Sequence, residues 1–365
     1  MIERRDLLAV MAGTLASITS LSAAAQYVLA PGEVRLIFNE NPYGPSPKAI
    51  EAVKKLLPLT AYYPDSPVDH PMKKRLVDAI ASKETLEPNN VFICSGSNEG
   101  LQAAILAYQD AGKILTPALT YTDHLFYAET LGVPIDRVPL KDDLSIDLET
   151  IRSRVGDDTA MVYLANPNNP TGIPIESNEL RAFCRDVGKK TLVVVDEAYN
   201  ELTDNPVKQS MVDLVRDNEN VLVMRTFSKI FGMAGMRVGY GMGHPDLIAR
   251  VNSFVMSWPN GIGLAAAYHS YIDDEFIAFS RAKVLEGRTM VNNTLKRAGV
   301  TPVPSQTNFV FADIGRDAKA FAAQMAAKGV QIKGNVADYP TYIRVSMGKT
   351  EDLLVFDRVF NEVYT

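Results

Sequence analysis

The chain has 365 residues, 47% of them hydrophobic and 22% charged, the make-up of a globular protein with length enough for two packed units. Its formal net charge is −6 and its lysines and arginines are scattered, which excludes the basic stripe of a nucleic-acid-binding surface. Cys94 and Cys184 stand in apolar stretches without a CxxC partner, and the four histidines show no ligand spacing. Neither a disulfide framework nor a metal site is expected.

Residues 1–25 read as a targeting segment. Met1 to Leu8 is a short charged start with Arg4 and Arg5 side by side, and a weakly apolar run follows from Leu7 to Leu21. Ser22-Ala23-Ala24-Ala25 then offers small residues where a signal peptidase cuts. The paired arginines predict the Tat route and a periplasmic or exported protein. Were the segment an amphipathic helix of the mature chain instead, the location would be cytoplasmic. The run is too short and too polar for a stable membrane span.

From Gln26 onward strand-like and helix-like segments alternate, the pattern of an α/β protein with a mainly parallel sheet. Val91–Cys94 is a short apolar run, and Leu101, Ala104, Ile105 and Tyr108 then recur with the helical period. Further strands are predicted at Lys113–Pro117, Ala160–Leu164, Thr191–Val195 and Val221–Arg225. The β-branched run Thr191–Val195 is typical of a strand buried on both faces. From Ala265 to about Ala298 the periodicity predicts one long helix. Strands at Asn308–Ala312, Val330–Ile332 and Tyr342–Val345, with a helix from Ala318 to Lys328, point to a smaller α+β unit. The expected division is 26–57 as a segment joining the small unit, 58–264 as the large unit and 265–365 as the small one.

Ligands of open α/β sheets sit beyond the carboxyl ends of the strands, so the polar residues there carry the chemistry. Thr226-Phe227-Ser228-Lys229 is followed by a glycine-rich loop to Gly239 that contains Arg237. Hydroxyls and backbone amides can cradle a phosphate, and an arginine adds a bidentate charge. The same surroundings lower a lysine's pKa and make it an imine-former and proton shuttle. Asp196 ends an apolar run, where a carboxylate needs a cationic partner such as a protonated pyridine, or caps a helix. Asn166–Gly172 is a turn of backbone-shaping residues. Gly96-Ser97-Asn98-Glu99-Gly100 opens a helix whose free amides attract a phosphate.

NPNNPTG, DEAY and TFSKIFGMAGMRVGY, in this order and at these separations, resemble the class I/II aminotransferases, most closely the histidinol-phosphate aminotransferase group. FNENPYGPSP at Phe38–Pro47 and AETLGV at Ala128–Val133 add to the likeness, which runs from about Leu36 to the C-terminus. The resemblance implies a fold-type I enzyme dependent on pyridoxal 5'-phosphate (PLP), with the cofactor held by Lys229 as a Schiff base in the large unit. It implies that Asp196 pairs with the pyridinium nitrogen and that Tyr199 and Asn169 bond the ring hydroxyl. Ser97, Asn98, Thr226, Ser228 and Arg237 would hold the phosphate, and Tyr121 would stack on the ring. Tyr63 would reach the phosphate of a neighbouring subunit, which implies a homodimer with shared sites. Arg344 and Asn169 would meet the substrate, Arg344 through its α-carboxylate.

Several positions depart from the group and bear on the substrate. Ile230 follows the lysine where a small residue is usual, and Asn98 replaces an acidic residue. Tyr27–Gly32 is a distorted version of an N-terminal tyrosine-proline-glycine segment. Lys333 stands where an arginine grips a substrate phosphate, and lysine does not reproduce a bidentate fork. The expected reaction is amino transfer between an amino acid or amino-alcohol phosphate, histidinol-phosphate-like or aromatic, and a 2-oxo acid. Two other readings stay open: a PLP decarboxylase or lyase like the threonine-phosphate decarboxylases, and a non-catalytic exported PLP or amino-acid binding protein.

Overall fold

The structure, a computed structural model, describes residues 33–63, 71–256 and 258–365. The expected export signal at 1–25, the segment Tyr27–Gly32, and Pro64 and Asp65 beside Tyr63 lie outside these residues.

Twelve strands are described: β1 (Val34–Arg35), β2 (Val91–Cys94), β3 (Lys113–Pro117), β4 (Ile135–Val138), β5 (Thr159–Ala165) and β6 (Leu192–Asp196), then β7 (Val221–Thr226), β8 (Gly239–Met242), β9 (Phe309–Asp313), β10 (Val330–Gln331), β11 (Lys333–Val336) and β12 (Tyr339–Ser346). Seven form the main sheet in the order β2-β8-β7-β6-β5-β3-β4. All its pairings are parallel except those of β8, which runs antiparallel to both neighbours. The architecture is α/β, as expected.

The period of two along a strand sorts the central runs onto two faces. Val193, Val195, Val162 and Leu164 join the core on one side. Leu192, Val194, Met161 and Tyr163 join a second core with Phe92 and the helix Ser97–Tyr108 on the other. Helices cover both faces, which is why these strands read as unbroken apolar runs.

β9, β12 and β11 form a three-stranded antiparallel sheet, with Lys333 opposite Arg344. β1 pairs with β10, so the N-terminal segment is tied to the C-terminal part of the chain. The helix Pro47–Leu56, capped by Ser46 Oγ on Ala49 N–H, packs on the helix Gly261–Tyr271.

The long helix expected from Ala265 to Ala298 is two helices, Gly261–Tyr271 and Asp274–Arg297. The break falls where Asp273, buried, takes an ion pair from Lys48 at 2.8 Å. β4, β8 and β11 were not expected from the sequence. β4 reads Ile-Asp-Arg-Val, with two charged residues at its centre, and β8 reads Gly-Tyr-Gly-Met, with no β-branched residue. No helix among the described residues is long and apolar enough to cross a membrane.

Candidate active site

The carboxyl ends of β3, β5, β6 and β7 open with the helix Ser97–Tyr108 onto one cavity of about 690 Å³. Lys229, Asp196, Tyr199 and Asn169 line it, and so do Arg344 and Lys333 from β12 and β11. Ser97, Asn98, Tyr121, Thr226, Ser228 and Arg237 line it as well. Every expected site residue but one is therefore brought to one place. The exception is Tyr63, which is 76% exposed and set against Trp258, with ring centroids 4.8 Å apart.

Lys229 Nζ donates to the Asn39 carbonyl at 2.9 Å. Burial pushes its amine down to about 8; the positive charges of Arg344 and Arg237 act in the same direction, while Asp196 and Glu40 oppose them. Asp196 ends β6 on the face shared with Tyr163. Its Oδ1 accepts from Ala198 N–H at 3.2 Å and its Oδ2 from the Tyr163 hydroxyl at 3.1 Å. Burial raises the Asp196 carboxyl to about 6, and Tyr163, the Ala198 amide and Lys229 restrain the rise. No regular helix starts at Asp196; a short turn, Asn200–Leu202, follows.

Tyr199 Oη accepts from Asn39 Nδ2 at 2.9 Å, and burial holds its phenol up at about 12. Ser346 Oγ donates to Asn39 Oδ1 at 2.8 Å, so the N-terminal segment is fastened between Tyr199 and β12. Arg344 Nη1 donates to Asn169 Oδ1 at 2.9 Å and Nη2 to the Ile37 carbonyl at 3.2 Å. Its Nε is buried without a partner. An unsatisfied guanidinium N–H in a cavity is a ready donor for a carboxylate.

On the opposite side, Thr226 Oγ1 donates to Ser228 Oγ at 3.0 Å, and Ser228 N–H donates to Thr226 Oγ1 at 3.2 Å. Gly96 caps the helix Ser97–Tyr108 at φ +79°, and a Cβ there would lie 2.4 Å from Arg237 Nη2. Only glycine lets the guanidinium close on the helix start. Likewise a Cβ at Gly239 would lie 2.4 Å from Ser97 N. The hydroxyls, the arginine and the first-turn amides thus form an anion-binding corner. Tyr121 Oη lies 2.8 Å from Asn98 Oδ1 and 2.7 Å from Asp123 Oδ2, which fixes its ring in the cavity wall.

Against this geometry the comparisons are direct. The family described as aminotransferase class I and II matches residues 32–356. The chain belongs to that family. It is 37% identical over 319 residues to a histidinol-phosphate aminotransferase of Anaeromyxobacter sp. (strain Fw109-5), a match covering 86% of each chain. It is 31% identical over 334 residues to the histidinol-phosphate aminotransferase of Moorella thermoacetica (strain ATCC 39073 / JCM 9320), covering 90% of this chain and 85% of the relative. The solved histidinol-phosphate aminotransferase from Sinorhizobium meliloti, in complex with pyridoxal-5'-phosphate, has a TM-score of 0.82 at 28% identity. That match covers 91% of this chain and 90% of the other. The protein is a PLP-dependent aminotransferase of fold-type I, close to the histidinol-phosphate group.

The cavity of this aminotransferase fits that cofactor on its own terms. It offers a depressed amine, a buried carboxylate that lacks a cationic contact, an anion corner closed by Gly96 and Arg237, and an orphaned Arg344 Nε. Sequence reasoning missed Asn39 and Tyr163. Asn39 lies inside the FNENPYGPSP stretch that carries the family likeness, so a signal was present. Tyr163 gave none, because a tyrosine inside an apolar strand reads as core.

Proposed function

We propose that this aminotransferase moves an amino group between an amino acid or amino-alcohol phosphate and a 2-oxo acid, with Lys229 as the amine that carries the cofactor. The donor is of the histidinol-phosphate-like or aromatic kind. The observation that carries this reading is the convergence of Lys229, Asp196 and Arg344 on one cavity.

When bound, PLP supplies an aldehyde that condenses with amines and a ring that takes up the electron pair left at the substrate α-carbon. Asp196 would meet the ring nitrogen, where a cation offsets the cost of its buried charge. Ser97, Asn98, Thr226, Ser228 and Arg237 would hold the phosphate, Tyr199 and Asn169 the ring hydroxyl, and Tyr121 one ring face. The unsatisfied Nε of Arg344 would bind the substrate α-carboxylate. Lys229 Nζ, once its amine is free, would take the α-proton from the substrate and would return it to the carbon that receives the amino group. Its amine, lowered to about 8, is well suited to both steps near neutral pH. Lys333, opposite Arg344 at the mouth, would attract an anionic group at the far end of the donor.

Support for a homodimer comes from the surface. Tyr62, Tyr63, Met256 and Trp258 are 73%, 76%, 91% and 57% exposed. Tyr63 and Trp258 also touch, with ring centroids 4.8 Å apart, and an exposed aromatic pair is the kind of surface that a second copy would cover. Export through residues 1–25 is part of the same proposal, and fractionation of the producing cells tests it.

The function is tested by absorption spectroscopy of the PLP-loaded protein with a panel of amino donors. A band near ~420 nm that moves towards ~330 nm with an aromatic or phosphorylated donor is the expected result. Lys229→Ala should abolish both the shift and turnover. Release of carbon dioxide in place of a 2-oxo acid would make the enzyme a decarboxylase, and a Lys229→Ala variant of undiminished activity would sink the assignment.

A further inference from the structure

We propose that Tyr163 is a positioning residue for Asp196: its hydroxyl, donated to one carboxylate oxygen, keeps that carboxylate ionised and aimed into the cavity. The inference rests on the reading that Asp196 meets the ring nitrogen of PLP.

The geometry follows from strand register. In the parallel pair β5–β6, Tyr163 stands opposite Val194 and Ala165 opposite Asp196. Residues two apart on a strand share a face, so Tyr163 and Asp196 are diagonal neighbours within reach of a long side chain. The tyrosine hydroxyl spans that diagonal and meets Asp196 Oδ2 at 3.1 Å. Tyr163 is 1% exposed, so its own ring can neither swing to water nor take a solvent partner. Behind it, the His124 ring lies 4.1 Å away, centroid to centroid, and neither His124 nitrogen has a hydrogen-bond partner. Burial holds His124 neutral, its pKa pushed down to about 3. His124 therefore brings no charge to Tyr163.

A buried carboxylate keeps its charge only if donors replace the water it has lost. Asp196 has two such donors here, the Ala198 amide on Oδ1 and Tyr163 on Oδ2. The other titratable groups whose charge reaches it are Lys229 beyond β7, Glu197, which follows it in the chain but turns to the opposite face, Tyr199 on the turn that follows, and Tyr121 beyond β3. Lys229 favours the charged form and Glu197 disfavours it. The phenol of Tyr163 is itself held protonated by burial and by Asp196, so it remains a donor wherever the enzyme works. Remove it, and Oδ2 loses its bond while the burial stays. Asp196 would then take up a proton more easily, and a ring nitrogen placed there would lose its counter-charge.

The test is the affinity of the apoprotein for two ligands, PLP and its 1-deaza analogue, in which CH replaces the ring nitrogen. For Tyr163→Phe the expected result is a loss of about tenfold in PLP affinity near pH ~6, narrowing towards pH ~8.5 as Asp196 ionises in the variant too. The deaza analogue should bind both proteins alike. Equal losses for both ligands would assign Tyr163 to packing and overturn the proposal, and no loss for either would do the same. A fallback that spares the fold is 3-fluorotyrosine at position 163, a better donor of nearly the same size. It should tighten PLP near pH ~6, and unchanged affinity counts against us. If the unaltered protein binds no PLP, or binds PLP and the analogue equally, the reading of Asp196 fails first, which separates the two failures.

Discussion

Lys229 stands between charges of opposite sign. Burial, Arg344 and Arg237 disfavour its ammonium form, and Asp196 and Glu40 favour it. The neutral amine is the nucleophile that captures an aldehyde, so the apoprotein should take up PLP faster as pH rises, with an inflection at about 8. Neighbouring charges should move that inflection in opposite directions. Arg344→Gln removes a positive charge and raises it, whereas Asp196→Asn removes a negative one and lowers it. Stopped-flow capture of PLP across the pH range measures both shifts, and an inflection that stays near the free-lysine value would contradict the burial argument. At this scale the sequence was most legible where a residue type has few structural uses. A lysine between two hydroxyls and a glycine loop is one case, and an aspartate closing an apolar run is another. Tyr163 and Asn39 were not legible, because tyrosines and asparagines are common in cores and turns, and only the fold shows what their polar atoms meet.

At the scale of elements, the end of β6 sends two adjacent carboxylates to opposite faces. Asp196 turns to the cavity, while Glu197 turns to Arg225 on β7, at 3.0 Å, with Ser210 Oγ and the Met211 amide as further donors. Arg225 is buried and also meets Glu84 at 2.7 Å. A buried pair of this kind adds little net stability, but breaking it leaves a charge without a partner. Arg225→Met should therefore destabilise the fold by ~3–5 kcal/mol. Adding Glu197→Gln should recover part of that loss. Urea denaturation of the single and double variants measures it, and a single variant as stable as the parent would show that Glu197 is solvated some other way. Elements themselves were legible where one periodicity held over the whole run, as in β5, β6 and β7. The helical periodicity resumes beyond the acidic run Asp273-Asp274-Glu275, so one long helix is expected where the structure has two. The break coincides with the ion pair that Lys48, far away in sequence, makes with Asp273.

Across the molecule, the strand ends of the main sheet, the N-terminal segment through Asn39 and the antiparallel β9-β12-β11 sheet through Arg344 and Lys333 all meet at one cavity. The exposed residues Tyr62, Tyr63, Met256 and Trp258 are not among those that line it. If that group is the face between two copies, the protein should sediment with the mass of two chains. Trp258→Asp should shift it towards one chain by placing a charge in an apolar contact. A parent protein that sediments as a single chain at working concentrations would remove the homodimer.

The sequence by itself determined the fold class, the family and the lysine, aspartate and arginine of the site. The fold class is written in local apolar runs, and the family and the site's arginine in short motifs whose likeness to known aminotransferases is local to the chain. Which polar atoms meet was decided only by the tertiary structure. Arg344 on Asn169, Asn39 on Tyr199 and Tyr163 on Asp196 join residues 175, 160 and 33 positions apart. The physical reason is that such bonds depend on strand register and on the burial of both partners, and neither property belongs to any one stretch of chain.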